Sequence, residues 1–439
     1  MNMNMYRWVQ GVESGARTYA SSFERVFDRG SGSHVYDTTG QRYLDCLCCA
    51  GALPLGHNDP EVKEAVLGFL GSGHVQQALD LTTPAKFEFL RQLYELLPPE
   101  LARTAKVQFC SPSGSDAVEA AIKLVRYATK RQTIVAFHGA YHGMTGGALG
   151  AMGNLVPKSV LGGHSGGVHF APFPYAYRCP FGSDGLQTDE LSINYLRTIL
   201  TDPESGIPKP AALLLEVVQG EGGCIPASSE WLRAVRQITL EQGIPLIIDE
   251  VQTGFGRTGT MFAFEHAGIL PDVVILSKAL GGGYPMSVVL YNETLDLWPR
   301  GMHAGTFRGN QIAMVAGAKT MSIVARDLLP AKAATTGDAL KSGFASLQAR
   351  FPVLGDVRGR GLMLGVEVIK PNHADSRGTP DGPMAARIKR AAFDNGLLIE
   401  TGGRHGAVLR VLPSLKLSMA EVDELLSKFE AAVRFACSQ

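Results

Sequence analysis

The stretch PLIIDEVQTGFGRTGTMFAFEHAGILPDVVILSK, residues 245–278, holds two apolar runs that each stop at a charged residue. Leu246 to Ile248 ends on Asp249, and Val273 to Leu276 ends, one serine later, on Lys278. Short, nearly continuous apolar runs predict strands of a mostly parallel sheet with helices on both faces. In such sheets the functional side chains gather at the C-terminal strand ends. Asp249 and Lys278 would then stand side by side on one edge.

Working outward, strand-like and helix-like segments alternate from about 105 to 290. AKVQFC leads into SGSDAVEAAIKLVRYAT, TIVAFHG and ALLLEVVQ follow, and MSVVLY comes after Lys278. An amphipathic helix is predicted from Trp231 to Gln242, stopping at Gly243. This predicts an α/β large domain over 55–320, with a smaller α+β domain over 321–439. Residues 1–54 form an entry segment packing with the small domain, including a hairpin turning at Asp37 to Gly40. Asp59 and Pro60 open the next helix.

Lys+Arg and Asp+Glu both total 41, so no basic surplus points to nucleic acid or an anionic membrane. No apolar run approaches a membrane span, and MNMNMYRWVQ lacks the order of a signal peptide. Seven cysteines are an odd number for a disulfide scaffold, and a reducing cytoplasm is expected. Cys46, Cys48 and Cys49 crowd one apolar stretch with no second Cys/His pair at zinc-finger spacing. They are expected to be buried thiols rather than metal ligands.

Four elements carry chemistry. A lysine after a buried strand, followed by Gly281 to Gly283, is partly desolvated, which lowers its pKa and favours imine formation. Alone it would more often be a surface residue. Asp249 changes that weighting, because a pyridinium nitrogen needs a carboxylate partner. Ser113, Gly114 and Ser115 turn a strand into a helix whose first amides can cradle a phosphate, although Ser-Gly-Ser is by itself more often a plain cap. In FHGAYHG, Tyr141 or His142 ends a strand and can stack on an aromatic ring. Cradle, ring aromatic, carboxylate and lysine together meet the needs of pyridoxal 5′-phosphate.

The chain also resembles the class III, or ω-, aminotransferases of fold-type I from about Tyr19 to Phe435. The resemblance rests on EVVQGEGG at 216–223, LIIDEVQTGFGRTG at 246–259, SKALGGGYP at 277–285 and GTFRGNQ at 305–311. It implies that Lys278 binds the cofactor as an imine and shuttles a proton. It places Asp249 on the pyridine nitrogen, Gln252 near the phenolic oxygen, Ser113 to Ser115 on the phosphate and Tyr141 on the ring face. Glu216 is expected to support the Asp249 region. Thr306 is expected to reach the phosphate of a neighbouring subunit, which implies a homodimer with shared active sites. Arg410 matches an arginine that grips a substrate α-carboxylate, and Glu221 a carboxylate that covers it; the plainer alternative is a structural ion pair. The chain departs from frequent family patterns in Ser-Gly-Ser at 113–115 and in Leu-Pro-Ser-Leu after Arg410.

Within the family, LDLTTPAKFEFL at 79–90, HGMTGGALGAMGN at 142–154, YAYRCPFG at 175–182 and HAGTFRGNQ at 303–311 resemble the branch acting on L-2,4-diaminobutyrate and 2-oxoglutarate. Enzymes of ornithine, 4-aminobutyrate and other ω-amines share the core residues. Aminomutases and racemases share the fold and lysine, but the Glu221–Arg410 switch favours an enzyme that admits two different carboxylates. A nucleotide-dependent oxidoreductase is disfavoured, since GRGLMLG at 359–365 fails the dinucleotide spacing and context.

Overall fold

The computed structural model describes residues 2–159, 167–183, 185–371 and 377–439. Its large lobe is built on seven strands: β1 (Ala105–Phe109), β2 (Ile134–Phe137), β3 (Val168–Ala171), β4 (Ala212–Leu215), β5 (Leu246–Asp249), β6 (Val273–Leu276) and β7 (Val288–Asn292). They lie in the order β1-β7-β6-β5-β4-β2-β3. Only β7 runs antiparallel to its neighbours; the β6-β5-β4-β2-β3 pairs are parallel. The fold is therefore α/β with a mostly parallel central sheet.

Alternate residues of each inner strand feed two different cores. Leu246 and Ile248 of β5 pack into one, with Val274 and Leu276 of β6; Ile247, Val273 and Ile275 pack into the other. Both faces are thus covered, which explains the unbroken apolar runs. Each such buried aliphatic side chain contributes about 2 kcal/mol by leaving water. The helix Gly114–Thr129 covers one face through Ala117, Ala121 and Leu124, and Ser229–Glu241 covers the other through Trp231 and Val235.

Within the seven-stranded sheet, one strand had no counterpart in the sequence expectations. VHFA at 168–171 forms the sheet edge beside β2, with three of its four residues half-buried. Its edge position removes the two-sided burial that makes the other strands legible.

The smaller lobe carries an antiparallel sheet of Leu354–Arg360, Met363–Lys370, Val408–Val411 and Glu400–Gly402, in that order. Arg410 lies on the Val408–Val411 strand, opposite Gly365 on one side and Glu400 on the other. The hairpin His34–Asp37 with Arg42–Asp45 is extended by Leu397–Leu398, so the N-terminal segment shares a sheet with the C-terminal part. Helix Gln311–Arg326 runs unbroken through the expected division at 320, and the chain turns after it at Leu328, where φ is +51°. Among the described residues no helix is long and apolar enough to cross a membrane.

Candidate active site

β5 and β6 deliver Asp249 and Lys278 to one cavity, which is also lined by Ser113, Gly114, Ser115, Tyr141, His142, Glu216, Glu221 and Gln252. The backbone of Lys278 has φ +47°, in the left-handed region that a side-chain-bearing residue rarely adopts. Strain of this kind persists where surrounding structure enforces it. Here Ser277, immediately before it, is pinned by its hydroxyl donating to Met286 O at 2.8 Å. Burial pushes the Lys278 amine below its ordinary pKa, partly offset by Glu221 and Asp249.

Asp249 is held from two sides. Its Oδ1 accepts from Val251 N at 3.0 Å, and its Oδ2 lies 2.7 Å from His142 Nδ1. Burial lowers the His142 pKa, but Asp249 outweighs it and the net shift is upward. His142 Nε2 is buried without a partner, so the ring retains one unused polar atom beside the site.

Ser113 caps the Gly114–Thr129 helix by accepting from Ser115 N at 3.3 Å. The Ser115 hydroxyl accepts from Met144 N at 2.9 Å. Gly143, at φ +122°, has no room for a side chain: a Cβ there would meet Ser115 Oγ at 1.8 Å. The Tyr141 turn and the phosphate-cradle turn are therefore locked together. Gln252 Nε2 donates to Ala50 O at 2.9 Å, leaving its oxygen for the cavity.

Glu216, expected to support the Asp249 region, makes its hydrogen bonds to two neighbouring turns. Its two oxygens accept from Tyr141 N at 2.9 Å and Gly220 N at 3.0 Å, so it fastens the Tyr141 loop to the loop carrying Glu221. Arg410 Nη1 meets Glu221 Oε1 at 2.7 Å. The arginine side chain is 3% exposed and the glutamate 37%. Burial lowers the Arg410 pKa, but Glu221 reverses that and raises it overall. Arg410 Nε remains buried without a partner.

Thr306 is exposed and does not line this chain's own cavity; its expected contact is with a neighbouring subunit. One placement differs from the sequence expectations, and one rim residue was missed. Cys46 and Cys48 are buried, but Cys49 is exposed, near enough to Lys278 for the two charges to interact. Tyr19, which no motif singled out, feels burial first and then Glu221 and Arg410, which places it at the rim. Its short helix, Tyr19–Ser22, is tied to the smaller lobe by Ser22 Oγ, which accepts from Lys389 Nζ at 3.0 Å, and by Phe23 packing on Phe393, long-range contacts with no local signal.

The residues present fit pyridoxal phosphate: a helix N-terminus for the phosphate, a hydrogen-bonded carboxylate for a ring nitrogen, and an amine with depressed pKa. The fold and cavity define a fold-type I pyridoxal-phosphate-dependent transferase. Residues 15–433 match the family model described as aminotransferase class-III. The chain belongs to that family and is a pyridoxal-phosphate-dependent transaminase. It is 54% identical over 423 residues to the diaminobutyrate–2-oxoglutarate aminotransferase of Rhizobium meliloti (strain 1021), covering 96% of this chain and 90% of that protein. The Haemophilus influenzae enzyme of the same name is 42% identical, covering 96% and 93%. Among solved structures, an amine transaminase from an uncultivated Pseudomonas species in its PLP-bound form superposes with a TM-score of 0.86 at 30% identity, covering 97% and 98% of the two chains.

Glu250, beside Asp249, belongs to the scaffold. It accepts from the Thr253 hydroxyl and from Phe264 N at 3.0 Å, and burial pushes its pKa from 4.5 up to about 7. The folded chain therefore keeps a proton that the unfolded chain releases near 4.5, and stability falls as pH rises across that window. Glu250→Gln should flatten the decline of the thermal midpoint over that range, leaving the share contributed by Glu216. An unchanged slope would rule out this assignment.

Proposed function

We propose that this transaminase moves the 4-amino group of L-2,4-diaminobutyrate to 2-oxoglutarate, giving L-aspartate 4-semialdehyde and L-glutamate. The observation that carries this reading is the Glu221–Arg410 pair, a buried arginine covered by a carboxylate that reaches solvent. The names of the relatives at 54% and 42% identity support the choice of substrates.

Bound in the cavity, pyridoxal phosphate supplies a carbonyl carbon that accepts the amine and a ring that takes up electron density. The chain's own residues do the rest. Amides at the start of the Gly114 helix hold the phosphate. Asp249 would face the ring nitrogen, and His142 Nδ1 holds its carboxylate in place at 2.7 Å. Tyr141 would pack on the ring face, in a turn fixed by Glu216. Lys278 Nζ would anchor the cofactor and then take and return the substrate proton, a role that its lowered pKa favours.

Glu221 decides which substrate enters. A substrate presenting its distal amine leaves Arg410 covered, whereas the α-carboxylate of 2-oxoglutarate displaces Glu221 and takes the guanidinium. Thr306, exposed and away from this cavity, supports a homodimer in which it completes the partner's phosphate site. The free thiols support a reducing, cytoplasmic location.

An amine-donor panel on purified enzyme, with 2-oxoglutarate and pyruvate as acceptors, tests the reading. Diaminobutyrate with 2-oxoglutarate should give the highest kcat/KM. A clear preference for ornithine or 4-aminobutyrate would move the enzyme to another branch.

A further inference from the structure

The helix that opens at Gly114 carries a carboxylate where its phosphate-binding end should be positive. Asp116 lies in the first turn. A carboxylate there stabilises a bare helix but competes with an incoming dianion for the same positive end. Its Oδ2 accepts from Ser111 N at 2.7 Å and lies 3.1 Å from His303 Nε2. Across the imidazole, His303 Nδ1 lies 3.3 Å from Lys123 Nζ, two turns along the same helix face as Asp116. An ammonium can only donate, so Nδ1 accepts and Nε2 carries the hydrogen given to Asp116.

Cys110 joins Asp116 and His303 within 4.8 Å, a spacing that a divalent cation can bridge. The ammonium facing His303 and the burial that raises the Cys110 thiol both oppose a cation there. The trio is better explained as part of an ion-pair relay.

The same cluster fastens the loop that carries Thr306. Lys123 Nζ also donates to Met302 O at 3.1 Å, and His303 O accepts from Gln108 Nε2 at 3.3 Å and Arg308 Nη1 at 3.1 Å. Gly305 lies so close to Ser111 that a Cβ would come within 2.3 Å of its Oγ. The loop and the phosphate end of the helix are one unit.

We propose that Lys123, His303 and Asp116 form a positioning relay that offsets the Asp116 charge beneath the cofactor phosphate and holds the Thr306 loop in register with it. This rests on the phosphate being held at the Gly114 helix end. Any transmission to a second active site rests additionally on the homodimer.

Titration of apoenzyme with pyridoxal phosphate, followed by fluorescence, tests the relay. Lys123 is solvent-exposed, so Lys123→Met keeps the fold testable even if a His303 variant does not. His303→Ala should weaken cofactor affinity about 10-fold and Lys123→Met about 3-fold, in the range of charge effects at a helix end. The kcat at saturating cofactor should stay near wild type in both. Asp116→Asn still accepts from Ser111 N but has no charge, so it should bind the cofactor at least as tightly as wild type. In that background the two losses should nearly vanish. Undiminished losses would show a packing role and overturn the relay, as would wild-type affinity in both single variants. Pyridoxal without its phosphate separates the two readings. Its affinity should be insensitive to Lys123→Met, whereas equal weakening of both ligands would mean that the phosphate is not held at this helix.

Discussion

Replacing Lys278 with alanine is expected to lower amine transfer by roughly 10⁴-fold, because the proton shuttle and the cofactor anchor are lost together. Among the described residues no other amine lines the cavity, and the His142 ring is tied to Asp249 through Nδ1. The backbone provides a useful control. Lys278 sits at φ +47°, so alanine inherits the left-handed strain while glycine relieves it, by about 1 kcal/mol. Lys278→Gly should therefore be the more stable apoprotein and yet be equally inactive. The decisive measurement is intact mass after borohydride reduction. Wild-type chain should retain the cofactor irreversibly, and neither variant should. Reduced cofactor still attached to the Lys278→Ala chain would remove Lys278 from the centre of the chemistry.

Much of this site is legible in the sequence because its residues sit at the ends of buried strands. Asp249 and Lys278 follow β5 and β6, whose alternate residues fill two cores and so leave unbroken apolar runs. Ser113 to Ser115 announce themselves through a small-residue turn into an amphipathic helix. Legibility fails where position depends on distant pairing. Tyr19 sits on a short helix tied to the smaller lobe by Lys389 to Ser22 and by Phe23 on Phe393, and no local pattern encodes that. Glu216 was visible as part of EVVQGEGG, but its partners are backbone amides of the Tyr141 and Gly220 turns. The edge strand Val168–Ala171 lacks a buried second face and so lacks the apolar run that revealed its neighbours. Within the cysteine cluster only Cys49 departs from the expected burial, for a local reason. Residues 48 to 50 all take positive φ, and that tight left-handed turn swings Cys49 out of the apolar stretch.

Arg410→Ala should have the second-largest effect, and it should be selective. The kcat/KM for 2-oxoglutarate should fall by about 10²-fold, the scale for losing a buried charge-assisted contact. The half-reaction with diaminobutyrate should slow far less, because in that step the arginine only holds Glu221. The fold should survive the change, since Glu221 is 37% exposed and can hydrate once its partner has gone. Arg410→Lys keeps the charge without the planar fork and should fall between alanine and wild type. Glu221→Ala should act in the opposite sense. It uncovers an arginine whose Nε already lacks a partner, so 2-oxoglutarate should bind more readily. Diaminobutyrate should react less well beside a bare guanidinium. Opposite signs in the two half-reactions are the signature of an internal carboxylate exchanging with a substrate carboxylate. If both variants instead shift both half-reactions in the same direction, the pair is a structural ion bridge between the lobes, and the enzyme distinguishes its two substrates by other means.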